Sequence, residues 1–120
     1  MAITLESIAQ NAAADAVCAL LDGGVIEFQT SGGVEVATAT FGTPAFGAAV
    51  AGTATANAIA PETNATGGTT VKFVAKTSGG AAVFEGTVST AGADINLTSI
   101  VVAASERLEV DSFTYTQPAA

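Results

Sequence analysis

The sequence predicts a mainly β protein: an antiparallel β-sandwich or jelly-roll-like barrel of about seven strands, with one α-helix at the N-terminus. Three observations carry this. After Gly24 the apolar residues recur with a period of two rather than 3.6. Clusters of Gly, Pro, Ser, Asn and Asp interrupt them about every eight to twelve residues, the spacing of a sandwich or small barrel. No second helical stretch follows, so the crossovers that a parallel α/β sheet needs are missing. At 120 residues the length suits a single domain over 1–120, with the helix over 4–21 and the sandwich over 25–116.

The helix is read from Leu5, Ile8, Ala9, Ala12, Ala13, Ala16, Val17 and Leu20, which fall at the three- and four-residue spacings of one helical face. Thr4 is placed to cap it, Glu6 suits its first turn, and Gly23 with Gly24 stops it. The stripe Leu5, Ile8, Ala12, Ala16 and Leu20 is expected to be buried, against the chain's own sheet or a neighbouring subunit.

Residues 25–28 make a first strand, Thr30-Ser31-Gly32-Gly33 a turn, and residues 34–41 a second strand. Pro44, between Gly42 and Gly47, breaks the ladder. Residues 48–60 are an Ala, Thr and Gly stretch with Val50 and Ile59 as its only larger aliphatics, a possible edge strand of poorly specified register. Residues 61–69 read as a loop. A hairpin follows, with strands over 71–76 and 81–88 around Thr77-Ser78-Gly79-Gly80. Strands over 95–102 and 107–116 complete the count. In the latter, Leu108, Val110, Ser112 and Thr114 oppose Glu109, Asp111, Phe113 and Tyr115, and Pro118 with the final alanines forms a tail.

Composition narrows the function. Three basic residues against eleven acidic ones give a net charge of −8, which argues against nucleic acid, where clustered cations supply the affinity. Charged residues are only 12% of the chain and mean hydropathy is +0.52. Part of the surface is therefore expected to be Thr, Ser, Asn and Gly, or covered by neighbours. No apolar run is long enough to span a membrane and no basic leader opens the sequence, so synthesis in the cytoplasm is expected, with no membrane partner. The single cysteine, Cys18, excludes an intrachain disulfide and reads as a small buried hydrophobe.

There is no histidine, so zinc clusters and Ser–His or Cys–His pairs cannot be assembled. Glu109 and Asp111 share a strand face and could contribute to a calcium site, but no Asp-x-Asp-x-Asp-Gly loop accompanies them. The glycine pairs lack the Gly-Lys-Ser/Thr ending of a phosphate loop. Phe28, Phe41, Phe46, Phe73, Phe84, Phe113 and Tyr115 are mostly needed for the core. The expectation is no catalytic residue, no cofactor and no metal.

The runs Thr40-Phe41-Gly42-Thr43-Pro44-Ala45-Phe46-Gly47-Ala48-Ala49, Gly52-Thr53-Ala54-Thr55-Ala56-Asn57-Ala58-Ile59 and Gly86-Thr87-Val88-Ser89-Thr90-Ala91-Gly92-Ala93-Asp94-Ile95-Asn96-Leu97, with the opening helix and the closing strand, resemble a family of small virion structural proteins of tailed bacteriophages. The resemblance implies a non-enzymatic structural role in the virion and supplies no site residues. With the size, strand pattern and acidic balance it leads to the expectation of a capsid decoration (cement) protein. Such a protein sits on the outside of the shell, because an anionic lining would face packaged DNA unfavourably. Its partners would be the major capsid protein or other virion subunits and copies of itself, with a trimer favoured. A tail, neck or baseplate component is the alternative, and a carbohydrate-binding β-sandwich using Phe46 or Tyr115 a more remote one. The contact surface is expected at Phe41, Pro44, Phe46 and Val50 in the charge-free stretch, Phe46 being the anchor, together with Leu5, Ile8 and Ala12 of the helix. The other reading of Phe41 and Phe46 is that they close the bottom of the core.

Overall fold

A computed structural model of the protein describes residues 3–118; the final alanines of the expected tail lie outside them. The chain is mainly β with one N-terminal helix. Helix α1 spans Ser7–Ala19, and the strands are β1 (Val25–Gln29), β2 (Glu35–Thr40), β3 (Thr53–Thr55), β4 (Gly68–Thr69), β5 (Lys72–Lys76), β6 (Ala82–Ser89), β7 (Ile95–Asn96), β8 (Val101–Val102) and β9 (Thr114–Thr116). Five of them form a mixed sheet in the order β2-β1-β5-β6-β7, and two short ladders, β3-β9 and β4-β8, stand beside it.

Helix α1 is shorter than expected at both ends. Glu6 rather than Thr4 occupies the capping position, without a side-chain bond to the first turn. The last turn closes when Leu20 and Leu21 N–H groups donate to the carbonyls of Val17 and Cys18 at 3.1 and 3.0 Å, and Gly23 turns the chain away with φ of 69°. The next residue, Gly24, is glycine for space: a Cβ there would overlap the backbone carbonyl oxygen of Lys76. That close approach brings the end of the helix onto the β1–β5 ladder.

The sheet is built from two like hairpins. β1 and β2 are joined through Thr30-Ser31-Gly32-Gly33, β5 and β6 through Thr77-Ser78-Gly79-Gly80, and in each the threonine hydroxyl accepts the N–H four residues on, at 3.2 Å from Val34 and 3.1 Å from Ala81. The first strands of the hairpins pair antiparallel, with Phe28 opposite Phe73. β5, inside the sheet, buries Phe73, Val74 and Ala75 in succession, as a strand covered on both faces does. Opposite Phe73 on the other side stands Gly86, whose missing Cβ leaves room for the phenyl ring.

The expected strand pattern changes beyond β6. β6 and β7 run parallel, pairing Val88 with Ile95 and Ser89 with Asn96, so the sheet is mixed and not antiparallel throughout. A parallel pair this short needs no long crossover: residues 90–94 carry the chain back only from the level of Ser89 to that of Val88, one residue's length or ~3 Å. The expected strands over 95–102 and 107–116 survive only as β7, β8 and β9. Leu108 and Val110 are buried with Glu109 and Asp111 outside, as the alternation requires, but Asp111 and Ser112 are both exposed and Phe113 is buried. The inward set changes parity there, because the chain is irregular at that point and a ladder no longer enforces period two.

Gly24→Ala is expected to lower unfolding free energy by about 3 kcal/mol, since a rigid backbone carbonyl has to move. Gly79→Ala, in a turn where the added methyl meets only ordinary contacts, should stay within about 0.5 kcal/mol of the parent. Urea unfolding of the two variants checks both.

Candidate functional site

Residues 41–60 carry no charged side chain. They fold back on themselves: Phe46 bridges Ala56, Val50 bridges Thr53, and Thr40 bridges Ala60. At the tip, Val50 and Thr53 exchange both backbone hydrogen bonds, at 2.9 and 3.0 Å, around Ala51 and Gly52 with φ of 51° and 80°. This is a two-residue turn with both central residues left-handed, a geometry that matches strand twist but is unusual for alanine.

Helix α1 lies against this segment, and polar atoms hold it there. Asn11 Oδ1 accepts the Gly52 N–H at 2.7 Å, Asp15 Oδ1 the Ala49 N–H at 2.8 Å, and Asp22 Oδ1 the Ala45 N–H at 2.8 Å. Three acceptors along one side of the helical region thus satisfy donors that an irregular, charge-free loop cannot satisfy itself. Ala14, Cys18 and Leu21 fill the space beneath them and are buried.

The helix consequently turns the expected stripe away from the chain's own sheet, the first of the two covers expected for it. The predicted stripe does not face the chain's own body: Ile8 is 83% exposed, Ala12, Ala16 and Leu20 are exposed, and Leu5 is half-buried. Alanine recurs on every side of α1, so hydrophobic spacing alone could not choose the buried face. The informative signal was the spacing of Asn11, Asp15 and Cys18 ahead of a stretch rich in backbone donors.

The other predicted contact residues divide. Val50 is 74% exposed and Pro44 is exposed, whereas Phe41 and Phe46 are 3% and 7% exposed. The two rings lie 5.6 Å apart, and Phe113 stands 6.5 Å from Phe41 and 5.8 Å from Phe46. Phe46 therefore anchors the chain's own core and is corrected as an external anchor. A small core with few large aliphatics uses its aromatics. The same burial removes Phe46 from any sugar platform, while Tyr115 remains half-exposed, stacked on Phe84 at 5.0 Å and 17°.

Cys18 lies under the helix, where burial first, and then the carboxylates of Asp15 and Asp22, push its thiol up to about 11. The thiolate needed of a nucleophile or metal ligand is thus suppressed at neutral pH. Glu27 is held below the usual carboxylate range by hydrogen bonds from Lys76, at 2.7 Å, and Gln29, at 2.9 Å. Glu109 and Asp111 are exposed, and the Arg107 guanidinium lies 3.7 Å from Glu109. Among the described residues no group of three His, Cys, Asp or Glu could hold a metal ion, and no helix is long and apolar enough to cross a membrane. Comparison of the chain with protein-family models, curated proteins and solved structures finds no match in any of the three.

Asp15→Ala should cost about 2 kcal/mol, because the Ala49 N–H is left without its acceptor, while Asp15→Asn keeps an acceptor oxygen and should cost less than about half of that. Thermal unfolding of the pair separates the hydrogen bond from helix propensity. Cys18 should resist iodoacetamide in the native protein and react once unfolded. As pH rises past the ordinary thiol range of about 9 towards 11, the unfolded thiol ionises while the folded one stays protonated. Stability should therefore fall across that window, and Cys18→Ala should fall less steeply.

Proposed function

We propose that this chain is a structural protein of a tailed-phage virion, a capsid decoration protein that binds the outside of the shell and stabilises contacts between major capsid subunits. The observation that carries the reading is the outward side of α1. Ile8, Ala12, Ala16 and Leu20 succeed one another at four-residue spacing and are all exposed. An apolar stripe of this kind on a small acidic protein is suited to lie against another subunit, since small side chains admit close approach and the larger ones at its ends supply the buried area.

Net charge supports the exterior position, because −8 disfavours contact with packaged DNA. The two-layer part of the reading takes the five-strand sheet as one layer of a sandwich and the short ladders with α1 as the cover on its other side. Self-association, with a trimer favoured, belongs to the same proposal. Exposed Ile8, Leu20 and Val50 are the residues on which copies would meet each other or the shell.

Ala12→Glu tests it. Because Ala12 is exposed in the folded chain, the variant should melt within about 2 °C of the parent, a shift of well under 1 kcal/mol for a domain of this size. It should nevertheless lose binding to undecorated capsids in a sedimentation assay. In the parent virion the protein should be present on the order of hundreds of copies, as a symmetric shell requires. Retained capsid binding by the variant, or a copy number in single figures, would exclude the decoration role.

A further inference from the structure

Between β6 and β9 the molecule is open. A cleft of about 370 Å³ lies there, floored by Phe73 and Phe113 and flanked by Phe84 and Tyr115, with Glu85 and Asp94 as its acidic lining residues. Phe84 stands 6.1 Å from Phe113 and 6.2 Å from Phe73, so the cleft is the open mouth of the aromatic core.

Strand edges border it on both sides. β9 pairs only with β3. On β6, the strand β7 reaches only Val88 and Ser89. The Thr87 N–H turns away from β5 and donates to Asp94 Oδ2 at 2.9 Å, and the Ser89 carbonyl accepts the Leu97 N–H at 2.9 Å. By the alternation of an extended strand, the backbone groups of Glu85 turn the same way, past the end of β7, where no strand pairs with them.

The electrostatics have one sign. Asp94 is held in place, since its Oδ2 also accepts the Thr87 hydroxyl at 3.1 Å while that hydroxyl accepts the Asp94 N–H at 3.3 Å. Its other oxygen takes no bond from the described chain. Among the described residues neither Asp94 nor Glu85 has a cation within 4.0 Å; the ion pairs formed are Lys76–Glu27 and Arg107–Glu109. Aromatic faces beside unneutralised carboxylates attract a flat, weakly hydrated cation, and a guanidinium can both stack on a ring and bond a carboxylate. A free strand edge at the same place accepts extended backbone.

We propose that the cleft between β6 and β9 binds an arginine side chain carried by an extended segment of a partner protein, the segment's backbone pairing with the open edge of β6 at Glu85. This does not depend on the virion reading and uses a surface other than the outward stripe of α1. Any partner that presents an arginine on an extended arm satisfies it.

The test titrates the full-length, isotope-labelled protein with the peptide acetyl-Thr-Val-Arg-Val-Thr-amide up to millimolar concentration, following backbone amide resonances. The control replaces arginine by the isosteric, uncharged citrulline. Shifts centred on Glu85, Asp94, Thr114 and Tyr115, with citrulline binding about tenfold more weakly, are expected; tenfold corresponds to about 1.4 kcal/mol. Asp94→Asn, which keeps acceptors for Thr87, should weaken the arginine peptide by a similar factor with an unchanged spectrum elsewhere. Tyr115→Leu should remove the stacking contribution, and Glu85→Gln serves in its place if that variant unfolds. Absence of shifts at these residues, equal binding of the citrulline peptide, or shifts centred on α1 would overturn the proposal. So would cellopentaose shifting the same residues while the arginine peptide does not, which would make the cleft a sugar site.

Discussion

Phe113 is the side chain on which the two halves of this molecule meet. Its ring lies 5.5–6.5 Å from those of Phe41, Phe46, Phe73 and Phe84. Two of these partners belong to the five-strand sheet and two to the charge-free segment over residues 41–60. Its backbone carbonyl accepts the Ala56 N–H at 2.9 Å, tying the same residue to the return limb of that segment. Each aromatic pair contributes about 0.5–1.5 kcal/mol beyond its buried area, a large share in a core whose other members are mostly alanine and valine. The break in alternation at Asp111 and Ser112 follows from this. A chain that has just buried Leu108 and Val110 has to skip a beat to turn Phe113 inward, and the exposed pair supplies the skip.

With the aromatic cluster closing the segment over residues 41–60, its backbone polarity remains to be satisfied. A loop of Ala, Gly and Thr that pairs with itself only at isolated bridges leaves amide donors pointing outward. Helix α1 answers them with Asn11 and Asp15, and the turn after it with Asp22. The helix is therefore attached by hydrogen bonds to the loop backbone more than by large apolar contacts: only Ala14 and Cys18 of α1 are buried, with Leu21 just beyond its end. With Asn11 and Asp15 engaged on the loop backbone, Ile8, Ala12, Ala16 and Leu20 stay on the outside. The outer surface of the helical region thus carries an apolar row.

The cleft has a related origin. Phe84 and Tyr115 stack on each other while the strands that carry them, β6 and β9, do not pair. The core thus extends to an opening where a further strand would fit between the two ladders. Glu85 and Asp94 line that opening, and among the described residues the two ion pairs use Lys76 and Arg107 elsewhere. In a protein with three cations and eleven carboxylates, a partner's positive charge is the available complement.

The local code by itself determined a good deal. The glycine stop after α1, the twin Thr-Ser-Gly-Gly turns with period-two strands on either side, the absence of histidine chemistry and the burial of Cys18 all follow from short-range pattern or composition. Each rests on backbone preference or residue type, which neighbouring segments do not change. Tertiary structure decided what small residues leave open. An alanine-rich helix has no unique apolar face, so the rotation of α1 was set by which side could offer acceptors to Ala45, Ala49 and Gly52. Phe46 was assigned to the core only by the presence of Phe113, sixty-seven residues further along the chain and turned inward by a parity change that no alternation announces. Spacing along a chain reports periodic burial where a ladder or helix enforces it; where the backbone is irregular, contacts between distant residues choose the inward side chains, and those contacts exist only in the folded chain.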